Sequence, residues 1–214
     1  ASSASLRTPG MPGKFAILMD GGFVKKKLKQ TTKNFPSVAD FRTEVARIKA
    51  HPALVGHDLL RVYFYDAPPA SGAMTNPISQ AQINLNAHPD HPKNVSLHQL
   101  LEVEPDFALR MGESAIHGWT IGNSALKQMA RTPRQLVATD MVPNIEQKGV
   151  DLRIGLDIAR LALREMVSAV VVVTGDSDLV PAFKFARREG CRVYLDHMGH
   201  SVRRELKVHA DLIL

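Results

Sequence analysis

The chain has 214 residues, 44% of them hydrophobic, a net charge of +6 and one cysteine. That length and composition suit one domain with a sizeable core. They exclude a disulfide scaffold, and no apolar run approaches the roughly 20 residues that a helical membrane span needs. The lone Cys191 points to a reducing compartment, read as the cytoplasm. Residues 1–13 are small, polar and rich in Pro and Gly; without an apolar stretch they read as a flexible leader or expression remnant, with Met11 a candidate native start. A positive balance attracts polyanions, although many soluble proteins are basic without a specific partner.

Lys14–Gly22, "KFAILMDGG", reads as a buried strand that ends at Asp20 and turns on two glycines. "FVKKKLKQ" starts a helix solvated by Lys25, Lys26, Lys27 and Lys29. In "VADFRTEVARIKA", Val38, Phe41, Val45 and Ile48 recur at helical steps. Leu59–Tyr65 reads as a second buried strand, closed by Asp66 and stopped by Pro68 and Pro69.

Residues 70–145 match no regular pattern well and read as a loop-rich insertion within a single domain spanning 14–214. Within it, "FALRMGESAIHGWTIG" alternates like a hairpin turning at Gly112, and "QLVATDMVPNIEQKGVD" looks poor in strand. A helix follows with an apolar face of Ile154, Ile158, Leu161, Ala162 and Met166, and Asp151 is expected to precede its regular part. The strand Val170–Val173, a helix over Leu179–Arg188 capped by Gly190, a strand ending at Asp196 and a closing helix complete the chain. Strands alternating with helices predict an α/β fold with a parallel sheet covered on both faces.

Acids sit where such a sheet binds ligands, beyond the carboxyl ends of its strands. Asp20 and Asp176 each follow a buried strand and stand in a glycine turn. Asp178 follows two residues later, where it also suits a helix cap. Asp66 and Asp196 end strands as well, and for them the turn reading is preferred. Asp151 and Asp157 lie at and just inside a helix entry, six residues apart, so they are read equally as helix-start acids or as site residues. Two carboxylates about 4 Å apart repel by roughly 4 kcal/mol at an effective dielectric near 20. A shared crevice must therefore take up protons or bind a cation, and an all-aspartate set suits Mg²⁺ or Mn²⁺ rather than zinc. Beside a basic surface, such a crevice points to phosphodiester chemistry.

The segments "FAILMDGGFVKKKL", "RVYFYDAPP", "QKGVDLRIGLDIARLA" and "VVVVTGDSDLVPAFKFARREGCRVYLDHMGHSVRRELKVHADLIL" resemble, in that order, the NYN domain family of LabA-like proteins, within the PIN-like nuclease superfamily. The resemblance implies a three-layer α/β/α sandwich with a central parallel sheet, aspartates holding one or two divalent metals, and cleavage of RNA. The family's acids fall on Asp20, Asp151, Asp157, Asp176 and Asp178; Gly22 stands where many members carry Asn, and Thr174 where they carry Ser.

On this reading Asp20, Asp157 and Asp176 are primary ligands of Mg²⁺ or Mn²⁺. Asp151 and Asp178 complete the set directly or through water, or orient the attacking water. Lys25, Lys26, Lys27, Lys148, Arg203 and Arg204 contact the RNA backbone without reading sequence. Thr174 and Ser177 are expected to make local turn bonds. Two other activities compete: an RNA- or protein-binding module with a vestigial metal site, and a metal-dependent phosphohydrolase acting on nucleotides. A homo-oligomer is left open.

Overall fold

The apolar strands pair side by side. In this computed structural model, which describes residues 13–214, β1 (Gly13–Asp20), β2 (His57–Asp66), β5 (Phe107–Met111), β8 (Ala169–Val173), β9 (Arg192–Asp196) and β10 (Leu212–Ile213) form one parallel sheet. Its order is β10-β9-β8-β1-β2-β5. The expected leader lies outside the described residues apart from Gly13, which opens β1.

The helices between these strands are α1 (Gly21–Thr32), α2 (Val38–Lys49), α3 (Asp90–Glu102), α5 (Val150–Leu163), α6 (Val180–Arg188) and α7 (Arg204–Val208). Alternate residues of each strand point to opposite faces. Ala16, Leu18, Tyr65, Val170 and Val172 therefore pack under Ile154, Ile158 and Leu161 of α5 and Phe183 and Ala186 of α6. Phe15, Ile17, Met19, Phe64 and Val171 meet Val24 and Leu28 of α1, Phe41, Val45 and Ile48 of α2, and Leu97 and Leu101 of α3. Helices thus cover both sides of the sheet in a three-layer sandwich. This double burial explains why β1 and β8 read as unbroken apolar runs rather than alternating ones.

Residues 70–145 carry more regular structure than their pattern suggests. They hold a small hairpin, β3 (Ala73–Thr75) with β4 (Gln82–Asn84), then α3, β5, β6 (Glu113–Ile121) and α4 (Asn123–Arg131). The apparent hairpin across Gly112 is a false pairing. β5 joins β2 in the main sheet, whereas β6 turns away and pairs antiparallel with β7 (Met141–Lys148). The stretch read as strand-poor is therefore largely β7. Its residues are mostly exposed, and a two-stranded ribbon with both faces partly wet shows little hydrophobic alternation. Asp151 does not precede α5 but lies in its first turn.

Candidate active site

The carboxyl ends of β1, β2, β8 and β9 make one edge of the molecule. Asp20 is both the last residue of β1 and the cap of α1: its Oδ1 accepts from the Phe23 backbone N–H at 3.1 Å. The turn is tight. A Cβ on Gly21 would stand 2.6 Å from the Tyr65 carbonyl oxygen, so only glycine lets β1 pass into α1 against β2.

β8 ends beside it. The Thr174 hydroxyl donates to Asp20 Oδ2 at 3.3 Å and accepts from the Asp176 backbone N–H at 3.1 Å. The expected local turn bond is present, but the same oxygen also joins two strand ends that are distant in sequence. Asp176 Oδ1 in turn accepts from the Asp178 N–H at 2.9 Å, capping the short helical turn Ser177–Leu179. This loop lies against α1, for a Cβ on Gly175 would fall 2.8 Å from the Phe23 ring.

Asp151 faces the same edge from α5, and with Asp178 it lines one end of a groove of about 360 Å³ between α5 and α6. The four carboxylates act on one another. Burial, together with Asp151 and Asp176, pushes Asp20 up to about 6, although the Phe23 N–H and the Thr174 hydroxyl oppose the rise. Burial first, then Asp176 and Asp178, raise Asp151.

Asp157 stands apart from these four. Its Oδ2 accepts from the Tyr65 hydroxyl at 2.9 Å and from Arg110 Nε at 3.1 Å, and Arg110 also stacks over the Tyr63 ring. Six residues along a helix turn a side chain well away from its starting face. Burial and the neighbouring Asp157 charge push the Tyr65 phenol far above its ordinary value, which keeps it a hydrogen-bond donor.

The basic residues divide. Lys26, Lys148, Arg203 and Arg204 are exposed, and Lys27 is half-buried. Lys148 ends β7 where the chain enters α5, and α7, which Arg204 opens, packs against the turn after Asp176. Lys25 instead turns inward, 2.5 Å from Asp66 and 2.8 Å from Asn94.

Asp66 is fully buried and also meets His98 Nε2 at 2.7 Å and Gln147 Nε2 at 3.1 Å. Burial would raise its pKa, but the His98 bond and Lys25 outweigh that and hold it below the ordinary carboxylate range. Asp196 is buried too and pairs with Arg47 of α2. Each also makes a local bond of the expected kind: Asp66 Oδ1 accepts from the Ala67 N–H and Asp196 Oδ1 from the Met198 N–H, both at 2.9 Å.

The sequence reading missed Arg110, Tyr65 as a donor, His98 and Gln147. His98 lies in the segment without a clear pattern, Gln147 in the stretch that looks poor in strand, and Arg110 and Tyr65 look like ordinary strand residues. No local signal marks any of them, because each is defined by a partner at least 32 positions away.

The donor chemistry suits a hard divalent cation: four carboxylates, no thiolate, and mutual repulsion that a cation would relieve. Among the described residues no three His, Cys, Asp or Glu side chains already stand as a ligand group. The cluster is thus an open edge rather than a closed ligand shell.

Comparison with solved structures finds a protein of unknown function from Vibrio parahaemolyticus RIMD 2210633. It has a TM-score of 0.56 and 15% identity over 97% of this chain and 95% of that one. At that identity the likeness shows a shared fold. A comparison with curated proteins finds no match. Among the described residues no helix is long and apolar enough to cross a membrane. The family model of the NYN domain covers residues 111–212, which hold Asp151, Asp157, Asp176 and Asp178, and implies a nuclease-like function in general terms. The matched residues, 111–212, run from the last residue of β5 to the first of β10, and the match is consistent with the NYN/PIN-like nuclease family that the sequence resembles.

Proposed function

We propose that this chain is a divalent-metal-dependent ribonuclease that hydrolyses RNA phosphodiester bonds at the edge where Asp20, Asp151, Asp176 and Asp178 meet. The observation that carries the reading is the convergence of Asp20, Asp151, Asp176 and Asp178 on one edge, where burial first, and then Asp151 and Asp176, push Asp20 up to about 6, so the edge favours a cation.

Asp20, set by Phe23 N–H and the Thr174 hydroxyl, and Asp176, set by the Asp178 N–H, are the groups to hold Mg²⁺ or Mn²⁺. Such an ion supplies neutralisation of the scissile phosphate and a lower pKa for the attacking water. Asp151 and Asp178, both exposed, either complete the ligand set through water or orient the nucleophile. The water oxygen adds to phosphorus, its proton passes to a rim carboxylate or to solvent, and the departing ester oxygen takes up a proton as the P–O bond breaks.

Asp157 enters as a positioning residue: Tyr65 and Arg110 occupy its Oδ2, and through Tyr65 it braces the strand next to Asp20. Lys148, Lys26, Arg203 and Arg204 are free to meet phosphates, whereas Lys25 serves Asp66.

The test is cleavage of labelled single-stranded and structured RNA with Mg²⁺, Mn²⁺ or EDTA. Asp20→Asn and Asp176→Asn are each expected to lower the rate more than about 100-fold. Asp157→Asn should cost about 10-fold, within the range of groups that orient metal ligands. Full activity in EDTA, or in both Asp20→Asn and Asp176→Asn, would overturn the assignment.

A further inference from the structure

The outer face of α5 carries a run of apolar side chains that nothing among the described residues covers. Leu152, Leu156 and Leu163 are 66%, 60% and 59% exposed, and Ala159 lies between them on the same face. Their spacing of four, three and four keeps them in one narrow stripe along the helix. Beside the stripe, Ala182 and Phe185 of α6 line the groove of about 360 Å³ shared with α5. Gly155 brings the two helices close, for a Cβ there would meet Ala182 at 3.8 Å. Exposed leucines in a contiguous row mark an interaction surface, unlike leucines scattered singly.

Two features of this face select its occupant. The first is symmetry: 152, 156, 159 and 163 read the same from either end, so an inverted copy places Leu152 opposite Leu163 and Leu156 opposite Ala159. The second is charge. α5 and α6 both enter from the carboxylate edge, so Asp151 and Asp178 stand at one end of the face. Arg160 and Arg164 of α5 and Arg188 of α6 are exposed at the other end, and none of these three makes an ion pair among the described residues. A two-fold contact with antiparallel helices lays the basic end of one copy over the acidic end of the other. A parallel contact would press two acidic edges together.

We propose that the chain pairs with a second copy of itself, two-fold and antiparallel, through the Leu152–Leu156–Ala159–Leu163 stripe and the adjoining α6 surface. The pairing brings the second copy's Arg164 to the level of Asp151, at the rim of the carboxylate cluster, and its Arg160 to the level of Gly155. It does not depend on the nuclease reading, and its test measures mass and geometry rather than turnover.

In sedimentation velocity across a dilution series, the full chain should shift from two-chain to one-chain mass. Leu156→Arg should sediment as one chain at every concentration with unchanged far-UV circular dichroism. Positions 152 and 163 are about 16 Å apart on one helix, which is too far for a disulfide between like positions in an antiparallel pair. A mixture of Leu152→Cys with Leu163→Cys should therefore give covalent dimers that neither gives alone. A wild-type chain of one-chain mass throughout would overturn the proposal. So would a Leu156→Arg protein that still dimerises, or self-linking by Leu152→Cys alone.

Discussion

Asp20 holds two positions that conflict. As the cap of α1 it benefits from ionisation, since its Oδ1 accepts the Phe23 N–H. As a buried member of an acidic group it is penalised for it, and the penalty prevails, raising its pKa to about 6. A carboxyl whose folded-state pKa is raised binds its proton more tightly folded than unfolded. The resulting stability is present below about pH 4 and is lost as pH rises through 6. In EDTA at pH 7.5, Asp20→Asn should therefore be the more stable protein, by about 2 kcal/mol, or about 4–8 °C in melting temperature for a chain of this size. The difference should vanish near pH 3.5, and thermal melts at the two pH values decide it. Asp66 makes the opposite case. It is more deeply buried, yet Lys25, His98 and Gln147 satisfy it, so its charge is structural. The two acids end adjacent strands, and what separates them is their neighbours.

At the scale of the element, the site depends on how strands hand over to helices. β1 passes into α1 without an intervening loop residue, Gly21 following Asp20 directly. This aims the Asp20 carboxyl at Thr174 rather than at solvent. A methyl group at Gly21 would lie 2.6 Å from the Tyr65 carbonyl and 2.7 Å from the Phe64 ring, so backbone must move. Gly21→Ala is expected to destabilise the fold by about 2 kcal/mol, in the range of strained or overpacked sites. It should also weaken cation binding, because β1 and β2 separate at the end where Asp20 is held. Chemical denaturation and metal titration of that variant check the two effects. The elements easiest to read from sequence are the doubly buried strands and the amphipathic helices α2, α5 and α6, whose burial on the sheet imposes a strong period. β6 and β7 escape because they bury little and pair with each other, so their residues answer to a partner strand rather than to the core.

Across the whole molecule, a basic chain concentrates acid at one sheet edge. Asp20, Asp151, Asp176 and Asp178 are spread over more than 150 positions, and the parallel sheet gathers them because every strand ends on the same side. Repulsion stored at that edge should appear as cation-dependent stability. Mg²⁺ or Mn²⁺ at 100 times its dissociation constant is expected to add about 2.7 kcal/mol to unfolding. The gain should be larger at pH 8 than at pH 5, where protons compete, and absent in the double variant Asp20→Asn/Asp176→Asn. Melting temperatures with and without the ion provide the measurement.

Reading residues in order was enough to find the parallel sheet, its covering helices and the acids at its strand ends, because burial periodicity and turn chemistry are local and leave a mark every few positions. Folding in space sorted those acids. It joined Asp20, Asp151, Asp176 and Asp178, tied Asp157 to Tyr65 and Arg110, and turned Lys25 from the surface toward Asp66. A side chain's partners depend on rotation about a helix and on which strands become neighbours, and neither is written within a few residues of the side chain itself.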